Sequence, residues 1–207
     1  MQVERLITSA GELLAGPLLL TPQVFADGRG FFFESWNQQC FVAALEADGQ
    51  PTAHHFVQDN HSRSTQGVLR GLHYQIHPHP QGKLVRCVVG EIFDVAVDLR
   101  RSSASFGQWV AARLSAENHR QLWVPPGFAH GFLTLSPVAE VLYKTTDLWS
   151  RSCERAIRWN DPDLAIAWPW LQAPAESGGE GDGGLIIPQL SAKDAAAPLL
   201  AEQTCVF

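Results

Sequence analysis

The chain has 207 residues, a formal charge of −6 and an isoelectric point near 5.7. That length suits a single domain over 1–207 with a sizeable core, and the acidic balance disfavours nucleic acid while leaving room for a local basic pocket that takes a phosphorylated small molecule. No basic segment precedes an apolar run and cleavage site at the N-terminus, and nowhere do about 18 apolar residues follow one another, so no membrane partner and a cytoplasmic location are expected.

In chain order, Gly16 to Leu20 is an apolar run closed by Thr21 and Pro22, which predicts a strand ending in a turn. A second turn at Asp27, Gly28, Arg29 and Gly30 leads into Phe31, Phe32, Phe33, Glu34, Ser35 and Trp36. Three successive phenylalanines reach both faces of a strand, so core or subunit contact is expected there. Asn37 to Gln50 predicts a short peripheral helix: Cys40, Phe41, Ala44 and Leu45 recur at helical spacing and Gly49 is the stop. Phe56 to His61 then leads to a polar turn expected over Ser62 to Gln66.

Gly67 to Gly90, GVLRGLHYQIHPHPQGKLVRCVVG, reads as two consecutive strands carrying a histidine, a lysine and two arginines. A regular strand puts Leu69, Gly71, His73 and Gln75 on one face and Val68, Arg70, Leu72 and Tyr74 on the other. Arg70 and His73 can therefore serve one pocket only if the strand bulges near Gly71 or the pocket spans its edge. The HPH at His77 to His79 resembles a metal pair but lacks a third ligand nearby, and it reads as a turn.

Phe93, Val95, Val97 and Leu99 alternate with Asp94, Ala96 and Asp98, which predicts a half-buried antiparallel strand. Phe106 to Leu114, Arg120 to Val124 and Val138 to Thr146 read as further strands, and spacing of this kind points to a sandwich or barrel. Pro125, Pro126 and Gly127 make a rigid turn that gives the following His130 a defined direction. Pro174 to Gly184, PAESGGEGDGG, reads as a flexible insertion. Cys40, Cys87, Cys153 and Cys205 form no CxxC pair, and reduced thiols are expected.

The spacing of Gly67, His73, Gln75, Lys83 and Gly90 resembles the first conserved motif of the cupin β-barrels, and PPGFAH at Pro125 to His130 the second. Gln75 and Lys83 stand where a metal-binding cupin carries a histidine and a glutamate. A protonated ammonium repels a divalent ion and has no lone pair to give, so a metal-free site is expected. The set FFFESWNQ, FVQDNHS, GVLRGLHYQ, QGKLVRCVVGEIFDVAVDLR, LWVPPGFAHGF and YKTTD resembles the dTDP-4-dehydrorhamnose 3,5-epimerase family from about Arg5 to Asp194. The resemblance implies a mainly β, cupin-type antiparallel barrel or jelly roll with a few short peripheral helices, a homodimer, no cofactor, and a dTDP-sugar substrate with a ketone at C4.

Carried over by position, the resemblance implies His73 as catalytic base, Tyr143 as acid, Asp194 as the carboxylate paired with the base, and Lys83 as a pocket cation. It implies substrate contacts from Arg29, Glu34, Gln58, Asp59, Asn60, Arg70, His130, Glu154 and Lys193. Trp149 stands where the family usually has tyrosine, an aromatic shelf that keeps the ring face and loses the hydroxyl.

The residue types suit the chemistry. Epimerisation beside a ketone removes a C–H proton from one face and returns one to the other through an enolate, which calls for a base, an acid and a cation near the developing oxyanion. A phenol suits the acid role if neighbouring cations lower its pKa. The alternatives are an epimerase acting at C3 or C5 alone and a non-catalytic sugar-nucleotide binder. Binding alone requires neither a base nor an acid.

Overall fold

The computed structural model of the chain describes residues 1–169, 188–204 and 206–207. The insertion expected at about 174–184 lies outside the described residues, as does Cys205; Cys40, Cys87 and Cys153 are unpaired.

The chain begins with β1 (Gln2–Ile7), β2 (Leu13–Thr21), β3 (Phe25–Asp27), β4 (Gly30–Phe32), helix α1 (Gln38–Ala47) and β5 (Gln58–Thr65). It continues with β6 (Leu69–Gln75), β7 (Lys83–Val89), β8 (Glu91–Asp98), β9 (Trp109–Ser115) and β10 (Gln121–Val124). Then follow β11 (Phe128–Thr134), β12 (Val138–Thr145), β13 (Glu154–Ala156) and the short helix α2 (Ala192–Ala195). A six-stranded sheet has the order β1-β2-β10-β7-β12-β5, and a five-stranded sheet the order β13-β6-β11-β8-β9, while β3 and β4 form a hairpin of their own. The chain is thus mainly β, with two facing antiparallel sheets of cupin type that do not close on one another through hydrogen bonds.

Apolar residues alternate along the strands and meet between the sheets: Leu19 of β2, Val85 of β7, Ile92 and Ala96 of β8, Leu122 of β10, Phe132 of β11 and Val141 of β12. Both outer faces are covered as well. Phe41, Ala44 and Leu45 of α1 pack on Leu18, Leu20 and Trp123, and the helix starts where the Asn37 side chain accepts from the Cys40 N–H. Ile157, Leu164, Trp168 and Leu200 cover Leu72, Tyr74, Val95 and Val97 on the five-stranded sheet.

Two expectations fail for reasons visible in this packing. β8 is sealed on both faces rather than half-buried, since distant segments cover its outer face and Asp94 and Asp98 have no exposed surface at all. Ser62 to Thr65 is strand, not turn. β5 reads QDNHSRST, an entirely polar sequence with no hydrophobic period to announce it, and only pairing with β12 makes it a strand. Gln58, Asn60, Ser62 and Ser64 form its less exposed row.

Of the two arrangements that would let Arg70 and His73 serve one pocket, the structure has the bulge. His130 of β11 faces His73 of β6 and Phe132 faces Arg70, so two residues of β6, Gly71 and Leu72, oppose the single Gly131. The extra residue inverts the alternation, and Arg70 and His73 line one cleft while Leu69, Leu72 and Tyr74 face the outer core. Glycine is needed at this point because φ of Gly71 is +130° and a Cβ there would lie 2.5 Å from Gly131 Cα and 2.9 Å from the His130 carbonyl oxygen. Gly71→Ala should destabilise the fold by about 3 kcal/mol or more, combining backbone strain with a main-chain clash. Chemical denaturation measures this, and a loss within about 0.5 kcal/mol would mean that the bulge relaxes freely.

Candidate active site

The bulged strand delivers His73 to a cleft of about 460 Å³ whose lining includes Arg70, Lys83, His130, Tyr143, Lys193 and Asp194. His73 Nε2 lies 2.5 Å from Asp194 Oδ1, a contact between residues 121 positions apart. Asp194 sits in α2, where the Ser191 hydroxyl accepts from its backbone N–H at 3.1 Å. The carboxylate is buried and the imidazole partly open to the cleft. Burial alone would raise the Asp194 pKa; the hydrogen bond and charge of His73 outweigh it and hold the carboxyl below the usual range.

Lys83, at the start of β7, is buried and donates to the His73 carbonyl oxygen at 3.2 Å. Desolvation pushes its ammonium down to about 8, against the opposing pull of Asp94 and Glu154. Of its three donors one is spent on that carbonyl, and the group faces the cleft. Gln75 is committed elsewhere: its Nε2 donates to the carbonyls of His79 at 2.7 Å and Leu148 at 3.2 Å, and its Oε1 accepts from Ser150 N–H at 2.7 Å. Among the described residues, no three His, Cys, Asp or Glu side chains are grouped to hold a metal ion.

Tyr143 of β12, paired with Asn60 of β5, enters the same cleft as His73. Its pKa departs from the expectation that neighbouring cations lower it. Burial raises it, and Arg70 offsets only part of the effect, because the ring is partly buried against the core while the guanidinium is exposed. The phenol is therefore protonated at neutral pH and stands as a donor. Arg70 itself is aimed by two contacts, Nε to Ser64 Oγ at 2.9 Å and Nη2 to the Arg63 carbonyl at 3.1 Å.

A smaller chamber of about 170 Å³ continues past His73, Lys83 and Tyr143, lined by Gln58, Asn60, Trp149 and Glu154. The Trp149 ring is exposed at its rim, and its backbone N–H donates to Gln58 Oε1 at 3.2 Å. Glu154 pairs with Lys193 at 2.6 Å, an interaction that overrides burial and lowers the carboxyl's pKa.

Of the residues singled out in the sequence, eleven line these two chambers: His73, Lys83, Tyr143, Asp194, Arg70, His130, Lys193, Gln58, Asn60, Trp149 and Glu154. Three do not. Asp59 projects from the outer row of β5 and pairs with Lys144 at 3.0 Å. Arg29 is exposed on the β3–β4 hairpin, paired with Asp27 at 2.7 Å. Glu34 lies in a separate groove beside α1, accepting from Asn37 Nδ2 at 3.3 Å. Sequence reasoning missed Ser64, which aims Arg70, and Asp94, whose Oδ1 lies 2.7 Å from His130 Nε2. Asp94 shares its row with Asp98, so the sequence alternation read it as the solvent side of a half-buried strand.

A family profile described as dTDP-4-dehydrorhamnose 3,5-epimerase matches residues 12–202. The protein of that name from Pseudomonas aeruginosa is 64% identical over 157 residues, covering 76% of this chain and 83% of the relative. Its namesake from Salmonella typhimurium is 57% identical over 183 residues, covering 88% of this chain and 90% of the relative. Among solved structures, the dTDP-6-deoxy-D-glucose-3,5-epimerase of Legionella pneumophila, in complex with dTDP-4-keto-L-rhamnose, superposes with a TM-score of 0.77 at 45% identity, covering 97% of this chain and 94% of that one.

Because the folded pKa of Asp194 is depressed, its contribution to stability is present above the unfolded value and lost as pH falls through the folded one. Asp194→Asn should therefore cost about 1–3 kcal/mol at pH 7, with the gap to wild type narrowing below about pH 4. Urea denaturation across that range measures it, and a gap that stays constant would refute the ionic origin.

Proposed function

The chain belongs to the dTDP-4-dehydrorhamnose 3,5-epimerase family, and we infer from this and from its cleft that it is an isomerase that inverts C3 and C5 of dTDP-4-dehydro-6-deoxy-D-glucose. The product is dTDP-4-dehydro-L-rhamnose, on the route to dTDP-L-rhamnose and the surface polysaccharides that use it. The observation that carries the assignment of roles is the convergence of the His73–Asp194 pair, Lys83 and Tyr143 on one cleft.

His73 gives its Nε2–H to Asp194, which leaves the Nδ1 lone pair to take the proton from carbon; Asp194 then stabilises the imidazolium. Charge develops on the C4 oxygen, and the Lys83 ammonium neutralises it, a single donor of this kind being worth roughly 3 kcal/mol in the transition state. Tyr143 returns a proton on the opposite face, and Arg70 stabilises the phenolate. Both C3 and C5 are adjacent to the same ketone, so one lysine serves both inversions. Arg70 and Lys193 are the cations that receive the diphosphate, and Trp149 the shelf for the base. The reaction needs no metal or redox cofactor, since only protons move.

The chain acts as a single-domain homodimer in the cytoplasm, without nucleic acid or membrane as partners. Phe25, Phe31 and Phe32 are each more than half exposed on the hairpin that carries Arg29, an apolar surface that a second copy would cover. Arg29 and Glu34 lie away from this chain's cleft, so their substrate contacts are made in the partner's. No helix among the described residues is long and apolar enough to cross a membrane.

In deuterated water, NMR of dTDP-4-dehydro-6-deoxy-D-glucose should show label entering C3 and C5. Label at one carbon would select a mono-epimerase and label at neither a binder. His73→Ala should abolish exchange, whereas Tyr143→Phe should retain some exchange and lose the inverted product; wild-type turnover in either variant would remove its assigned role. Sedimentation should give a dimer, and Phe32→Asp a monomer with at least tenfold lower turnover; a fully active monomer would show the cleft to be complete in one chain.

A further inference from the structure

The interior between the sheets holds a charge that the proton transfers do not use. Asp94 projects from β8 into that interior with no exposed surface, its Oδ1 2.7 Å from His130 Nε2 and its Oδ2 buried without a hydrogen-bond partner among the described residues. A buried carboxylate is tolerated only when paired in charge and hydrogen-bonded. His130 supplies the hydrogen bond. It does not supply the charge, because burial lowers its pKa despite the neighbouring Asp94 and leaves the imidazole neutral at working pH. The remaining buried cation among the described residues is Lys83, on β7 of the opposing sheet; it lines the cleft together with His130, the hydrogen-bond partner of Asp94, and Asp94 favours its ammonium form.

We propose that Asp94 is a positioning residue: a carboxylate beneath the cleft that keeps Lys83 in its ammonium form and holds His130 with its proton on Nε2. The proposal rests on the epimerase reading for what Lys83 does, and on the packing for what Asp94 does. Other groups face Lys83 from every side: His73 on β6, His130 on β11, Tyr143 on β12, Glu154 on β13, and Lys193 and Asp194 on α2. Glu154 also favours the ammonium and Lys193 opposes it, but these two are already paired with each other at the cleft rim. Asp94 is thus the anion whose influence on Lys83 is not shared with a cationic partner. Two further groups are removed from the alkaline range around Lys83: burial raises the Tyr143 phenol and pushes the Cys87 thiol up to about 12.

The test is the pH profile of solvent deuterium exchange into dTDP-4-dehydro-6-deoxy-D-glucose. Wild type should lose activity on an alkaline limb centred near pH 8, where Lys83 deprotonates. Asp94→Asn keeps the shape and removes the charge. Its alkaline limb should move down by about one unit or more, a tenfold loss at the wild-type midpoint that is recovered at lower pH. An unmoved limb, with or without a uniform drop in rate, would overturn the proposal, because a merely structural role changes height and not midpoint. A measurement on the wild-type protein stands independently of whether that variant folds. Nitrogen-15 NMR of labelled histidine should find His130 protonated on Nε2 and bare on Nδ1 at neutral pH. The opposite tautomer would leave Nε2 with no proton to give Asp94, and the proposal would fail. Absence of exchange in wild type would instead sink the epimerase reading, with the tautomer still deciding whether Asp94 holds His130.

Discussion

One additional residue in β6 is the constraint on which the site depends. Without the Gly71–Leu72 bulge against Gly131, period-two alternation would send Arg70 into the outer core whenever His73 faces the cleft. A guanidinium there would be buried in an apolar cluster that includes Leu133, Ile157 and Leu164. The bulge turns an unworkable strand into one that presents two cationic or basic groups to the same cavity. It also explains a glycine on each strand, since the main chains of β6 and β11 touch where a Cβ on either would intrude.

From that placement follows the electrostatic arrangement. In a metal-binding cupin a divalent ion would hold the substrate's oxygen; here a single lysine stands on the corresponding strand, and the residue beside the histidine, Gln75, is spent on fastening the His79, Leu148 and Ser150 main chain. A lysine is the cheaper cation to hold and the less secure one, because burial lets it shed its charge by losing a proton. An ion could not do that. The proposed influence of Asp94 in the opposing sheet would offset the weakness, and the contact of Lys83 to the His73 carbonyl ties β7 to β6 across the two sheets, fixing the two residues relative to each other.

Much of this was legible in the sequence where hydrophobic period or turn chemistry spoke clearly. The helix after Asn37, the turn before His130 and the alternation through β8 are all found, and the conflict between Arg70 and His73 marked the strand as needing either a bulge near Gly71 or a pocket at its edge, of which the structure has the bulge. What stayed hidden has physical causes. β5 carries no apolar residue, so nothing in its own sequence distinguishes a strand from a loop; its identity comes from β12. The double burial of β8 depends on residues near 157–168 and 200, which no local pattern connects to it. Asp59 reads like its neighbours Gln58 and Asn60, yet alternation puts it on the other side of the sheet with Lys144.

The cations of the cleft are graded by exposure, and the grading sorts them by task. Arg70 is open to solvent, and Lys193, also at the rim, already has a carboxylate neighbour in Glu154; both suit a diphosphate that arrives hydrated and leaves again. Lys83 is buried, so in the proposed reaction its field acts with little screening on the oxygen where charge develops. Tyr143 lies between these zones. Burial raises its pKa and makes it a reluctant acid towards water, but the enolate is a far stronger base than water and takes the proton regardless. In the proposed reaction the resulting phenolate lies within the field of Arg70, whose guanidinium Ser64 holds in place. In the proposed roles, donor and base thus differ in kind: the imidazole has a carboxylate beside it to stabilise the charge it receives, and the phenol is kept neutral until a strong base takes its proton.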